Sequence, residues 1–125
     1  MLESATAHAT IAVTDIDRAR KFYAEALGLT VKNENPGGIT FEDGGGGWFF
    51  VYPSQFAGSN RSTAMTFEVD DLDTTVKELR ESGITFEEYD LPGIKTVDGI
   101  AEIEGERGAW FKDPDGNIVA VSQQI

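Results

Sequence analysis

The chain holds one histidine, His8, and no cysteine. Thiolate nucleophiles, disulfides and Cys-based zinc sites are therefore excluded. His8 is a candidate metal ligand or base; its plainer reading is a polar residue at a strand end. A Ser-His-Asp triad finds no Gly-x-Ser-x-Gly elbow to support it. Glu68 is the second candidate. Alternation sets it on the same strand face as Thr66, and burial there would raise its pKa and suit it to general base work. A solvated carboxylate is the plainer reading of that residue too. Asp43-Gly44-Gly45-Gly46-Gly47 offers bare N–H groups to an anion, but no Lys-Ser/Thr follows and no helix begins, so it reads as a hairpin loop. Trp48, Phe50 and Tyr52 alternate with Phe49 and Val51. One set faces a ligand and the other the core, and the glycine run leaves the parity open. Flat or apolar ligands stack on such rings and lose water there.

The elements that position these residues occur twice. Val13-Thr14-Asp15-Ile16-Asp17 returns as Val69-Asp70-Asp71-Leu72-Asp73, and Lys21 as Lys77, both 56 positions later. Gly28-Leu29 answers Gly83-Ile84 one position tighter. Two copies are too few for a solenoid and imply two similar halves in one domain. His8 to Val13 reads as a strand with Ile11 and Val13 on the core face and His8, Thr10 and Ala12 on the other. Thr14 or Asp15 can cap a helix whose stripe is Ile16, Ala19, Phe22, Tyr23, Ala26 and Leu27, with Gly28 as its stop. Leu29 to Lys32, Ile39 to Glu42 and Trp48 to Tyr52 read as three strands. Pro53 to Ser62 has connector composition. The second half opens on Ala64 to Val69, with Met65, Phe67 and Val69 toward the core and Ala64, Thr66 and Glu68 away from it. Asp71 caps a helix carrying Leu72, Val76 and Leu79. Ile84 to Tyr89 reads as a strand, Pro92 to Gly108 as a long loop followed by strand, and Gly108 to Lys112 and Ile118 to Ser122 as the last pair. Asp113 to Asn117 is a turn set by Pro, Gly and Asn.

A chain of 125 residues with 40% hydrophobic content is one domain's worth of core. No segment is long enough to cross a bilayer. Met1-Leu2-Glu3-Ser4 lacks a basic end followed by an apolar run, so no signal peptide is expected and the cytoplasm is the expected location. The net charge of −12 argues against nucleic acid or anionic membranes as partners.

The sequence resembles the vicinal oxygen chelate superfamily, which includes glyoxalase I, extradiol dioxygenases and bleomycin-resistance proteins. The resemblance is carried by His8-Ala-Thr-Ile-Ala-Val-Thr-Asp-Ile-Asp-Arg-Ala-Arg-Lys-Phe-Tyr23 with Leu27-Gly28-Leu29, by Val69-Asp-Asp-Leu-Asp73, and by Trp110-Phe-Lys-Asp-Pro-Asp-Gly-Asn117. It implies an α+β fold: two βαβββ modules in one domain, with curved mixed sheets enclosing a cleft and helices on the outer faces. Module one covers about 5–53, the connector 54–62 and module two about 63–125. Metalloenzymes of the superfamily hold a divalent ion with four side chains. His8 matches the first position. The second falls on Ala64 and another on Ala120, and the strand Trp48 to Tyr52 offers no ligand at all. One imidazole grips a divalent ion weakly, because such sites need three or four donors. The resemblance also implies that Phe111 is core while Trp110 looks into the cavity.

The expectation is a metal-free protein, with no cofactor, that binds an apolar or aromatic small molecule through His8, Thr10, Trp48, Phe50, Tyr52, Thr66 and Trp110. The alternative is a metal-dependent lyase, isomerase or dioxygenase of the same superfamily. A third possibility is a metal-free enzyme with His8 and Glu68 as acid and base. The expected partner is a second copy of the chain, as a homodimer.

Overall fold

The computed structural model describes residues 1–125. It divides into two compact units, Met1–Ala57 and Gly58–Ile125.

The first unit runs β1 (Thr10–Val13), α1 (Ile16–Arg20) continuing as a π-helical stretch (Lys21–Ala26), β2 (Thr30–Asn35), β3 (Gly38–Glu42) and β4 (Trp48–Pro53). The sheet order is β1-β4-β3-β2, with β1 parallel to β4 and the other pairs antiparallel. Asp15 starts the helix by accepting from the N–H groups of Asp17 and Arg18 at 3.0 and 3.1 Å. Gly28, at φ 74, ends it. The helix covers one sheet face. Ala19 and Tyr23 pack there on buried Ile11, Val13, Ile39, Phe41, Phe49 and Val51. The Tyr23 ring lies 5.6 Å from Phe41 and 5.7 Å from Phe49. Burying each such side chain stabilises the fold by about 1.5–3 kcal/mol.

In this unit two boundaries differ from the sequence expectation by more than one residue. The first strand begins at Thr10 rather than His8. The parallel ladder is joined only from Ala9, whose carbonyl accepts from Phe50 N–H. The second strand extends to Asn35 instead of stopping at Lys32. It is a sheet edge exposed along its whole length, so no alternation marks its end.

The second unit runs β5 (Thr63–Glu68), α2 (Leu72–Glu81), β6 (Asp90–Leu91), β7 (Ile94–Lys95), β8 (Ile100–Ile103), β9 (Glu106–Lys112) and β10 (Ile118–Gln124). The order β5-β10-β9-β8 repeats the topology of the first sheet. Asp71 caps α2 by accepting from Thr74 N–H at 3.1 Å. Leu72 and Val76 are buried on the sheet face that carries Ala109, Phe111, Val119 and Val121. The architecture is therefore α+β, two βαβββ modules, with the β6–β7 hairpin added in the second. No helix is long and apolar enough to cross a membrane.

Ile84 to Tyr89 is not a strand, contrary to expectation. It makes one isolated bridge, Phe86 to Phe111. Ile84 and Phe86 are buried, each 8% exposed, so the alternation reports which side faces the core. It does not report a ladder. The backbone finds other partners: Glu87 N–H donates to the Trp110 carbonyl at 2.7 Å and Tyr89 N–H to Thr96 Oγ1 at 2.8 Å.

Candidate functional site

In the first unit the open parity of β4 is resolved. Phe49 and Val51 are buried under the helix, while Trp48, Phe50 and Tyr52 are half-buried on the opposite face. The register sets Thr10 beside Phe50 and Ala12 beside Tyr52. The Phe50 and Tyr52 rings are parallel within 3°, with centroids 6.3 Å apart. Gly38 lies beneath the Phe50 ring, where a β-carbon would come within 2.7 Å of Phe50 Cζ. His8 lies over Trp48, with its Nδ1 2.7 Å from the Trp48 carbonyl oxygen. A carbonyl can only accept, so Nδ1 carries the proton. One sheet face gathers five of the predicted residues: His8, Thr10, Trp48, Phe50 and Tyr52.

In the second unit the equivalent face carries one row across three strands, Thr66 on β5, Ala120 on β10 and Trp110 on β9. Ala64 sits at an irregularity, where the pairing of β10 steps from Thr63 to Met65. Trp110 is half-buried and opens on two cavities. One, of about 190 Å³, has Thr66, Gly108, Trp110, Ala120 and Ser122 in its wall. The other, of about 600 Å³, is bounded by Trp110, Tyr89, Ile94, Arg61, Glu87 and Lys112 among others. The Tyr89 ring meets Trp110 edge-on, centroids 5.6 Å apart. Burial holds the Tyr89 hydroxyl above its ordinary pKa, and the nearby Glu87 charge adds to this. It therefore stays a proton donor at neutral pH. Glu68 is exposed, beside Ser122 in register. It borders a separate recess of about 310 Å³ with Asp70, Gln123 and Gln124.

Tyr89, Arg61, Glu87 and Lys112 were not among the residues the sequence singled out. Arg61 stands in connector composition and Tyr89 at the end of a misassigned strand. Nothing short of the tertiary fold brings them beside Trp110. Lys112 follows Phe111 in the strand that carries Trp110, and that adjacency was the one available signal.

A larger recess, about 690 Å³, lies beside α2. Both of its arginines are already engaged. Arg107 binds Asp73 through two hydrogen bonds of 2.9 and 3.1 Å, and Arg80 donates to the Asp98 carbonyl at 2.8 Å. The Trp110 cavities offer ring faces instead, and so form the better candidate for a small organic ligand. Within neither unit do three His, Asp or Glu side chains gather around a point that could hold an ion.

The family model described as the Glyoxalase/Bleomycin resistance protein/Dioxygenase superfamily matches residues 5–121. Several solved structures share the fold. UcmS2 is 20% identical with a TM-score of 0.76, the match covering 96% of this chain and 98% of that one. TnmS3, an antibiotic binding protein from Streptomyces sp. CB03234, is 22% identical with a TM-score of 0.70, covering 98% and 100%. A glyoxalase family protein from Enterococcus faecalis is 21% identical with a TM-score of 0.73, covering 98% and 99%. No curated protein sequence matches the chain.

Proposed function

The chain belongs to the Glyoxalase/Bleomycin resistance protein/Dioxygenase superfamily, and on that premise we propose that it binds a small apolar or aromatic molecule without a resident metal ion. The observation that carries this reading is Trp110, half-buried between cavities of about 190 and 600 Å³ and flanked by Tyr89. A ring so placed supplies a large apolar surface that a flat ligand can cover. TnmS3, an antibiotic binding protein, has the same fold.

The donor set supports the metal-free part. His8 offers at most its second ring nitrogen, and at 64 and 120, where the superfamily's metalloenzymes carry ligands, this chain has methyl groups. A divalent ion needs three or four N, O or S donors at fixed distances, and an alanine supplies none. Homodimerisation and a cytoplasmic location belong to the same proposal. They rest on the sequence reading.

The test is calorimetric titration of planar aromatic compounds into wild-type protein and Trp110→Ala. Truncating the ring should weaken binding about tenfold or more. Elemental analysis after incubation with divalent ions should find them far below one per chain. Stoichiometric, tightly held metal would overturn the metal-free reading, and binding indifferent to Trp110→Ala would overturn the site.

A further inference from the structure

We infer that the Trp110 cavity is built for an aromatic anion: a planar ring bearing one carboxylate or phenolate. This rests on the reading of Trp110 as a ligand platform and goes beyond it in naming the charge of the ligand.

The protein as a whole is strongly acidic, with 22 Asp and Glu against 10 Lys and Arg. The wall of the 600 Å³ cavity reverses that balance. Its charged side chains are Arg61, Lys112 and a single carboxylate, Glu87. Glu87 is already engaged, 3.4 Å from Lys112 Nζ. The guanidinium of Arg61 belongs to none of the ion pairs described in the molecule. One positive charge is therefore left uncompensated at a cavity edge. Beside it stand the rings of Trp110 and Tyr89, and the Tyr89 hydroxyl is a proton donor at neutral pH. Guanidinium, ammonium and phenol are all donors, and the oxygens of an anion are the matching acceptors.

Long-range repulsion from the acidic surface does not decide the matter. At physiological salt it fades over about 8 Å, so the charges in the cavity wall dominate a bound ligand. A cationic ring would meet the reverse arrangement, with its charge beside Arg61 and its only counter-charge shared with Lys112. A neutral ring would leave the cationic edge without an acceptor and lose the charge-assisted hydrogen bonds, each stronger than its neutral counterpart.

The experiment uses two probes of similar shape, 2-naphthoate and 2-naphthylmethanol, titrated calorimetrically into the full chain. Wild-type protein should bind the acid about tenfold more tightly than the alcohol. That ratio should shrink as salt is raised and approach one in Arg61→Gln. Lys112→Gln, which releases Glu87 to offset Arg61, should likewise bring it toward one. Both side chains are exposed, so the variants should fold, and circular dichroism checks this. Equal binding of the two probes by wild type, or a ratio that Arg61→Gln leaves unchanged, overturns the inference. If the probes bind equally and Trp110→Ala abolishes both, the aromatic site stands and only its charge preference falls. If wild type binds neither probe, the site and the inference fall together.

Discussion

The imidazole of His8 lies flat on the indole of Trp48, with ring centroids 3.5 Å apart and planes 11° apart. Its Nδ1 donates to the carbonyl of the same tryptophan. The pair fastens the segment before β1 to the first residue of β4. His8→Ala removes one ring contact and one hydrogen bond, each worth about 1 kcal/mol. Urea unfolding should show a loss of about 1–2 kcal/mol, and His8→Phe, which keeps a ring, should recover roughly half. A His8→Ala protein as stable as wild type would mean that the stack contributes nothing.

Gly58 approaches the turn between β9 and β10 so closely that a β-carbon would lie 1.9 Å from the Asp115 carbonyl oxygen, and its φ is +72. The turn has little freedom to retreat. Asp113 Oδ1 accepts from the N–H groups of Asp115 and Asn117, and Oδ2 from Asn117 Nδ2 at 2.8 Å. Asp113 and Asn117 are both buried. Gly58→Ala should destabilise by at least about 2–3 kcal/mol. Gly116→Ala is the control. It too has positive φ, +90, but open space around it, so it should cost only about 1 kcal/mol. Equal losses in thermal or urea unfolding would refute the steric account.

Acid should loosen the N-terminal end of α2. Hydrogen bonds from the Thr74 N–H and hydroxyl hold the Asp71 carboxyl below its ordinary pKa, and Arg107 does the same for Asp73. A lowered folded value means that the unfolded chain takes up the proton first. The stabilisation is present in full above the ordinary carboxylate range, around pH 4, and is lost as pH falls through the folded values. Both groups are fully exposed, so the effect is modest and sensitive to salt. Asp73→Asn should lower stability at neutral pH and flatten the fall below about pH 4. An acid limb unchanged from wild type would count against the ion pair.

The sequence carried the strands with one buried face, because period-two alternation marks them. Ile11 and Val13 are buried as their spacing implies, while Phe49 with Val51 and Val119 with Val121 share a buried face that the spacing alone did not choose. Asp71 caps the second helix as expected, and of the two candidates Thr14 and Asp15 it is Asp15 that caps the first. Ile84 to Tyr89 failed because alternation records burial without recording who pairs with whom. The edge strand β2 was cut short because neither face of it is buried. The aromatic side of β4 could not be settled from parity beside a glycine run, and the burial of Phe49 settles it. The cationic edge of the Trp110 cavity was illegible, since it joins residues 61, 87 and 112 from three separate segments.

The π-helical stretch explains an oddity in the repeat. Lys21 and Lys77 stand 56 positions apart, Gly28 and Gly83 only 55, so the first copy holds one residue more before its glycine. The bonds that close the two helices show where it went. Leu29 N–H reaches the Tyr23 carbonyl across six residues, and Ile84 N–H reaches Leu79 across five, both at 3.0 Å. Leu27 N–H likewise reaches back five positions to Phe22 rather than four. The one-residue difference in length between the two copies is thus taken up by widening a single coil, and each helix still closes on an equivalent glycine of positive φ.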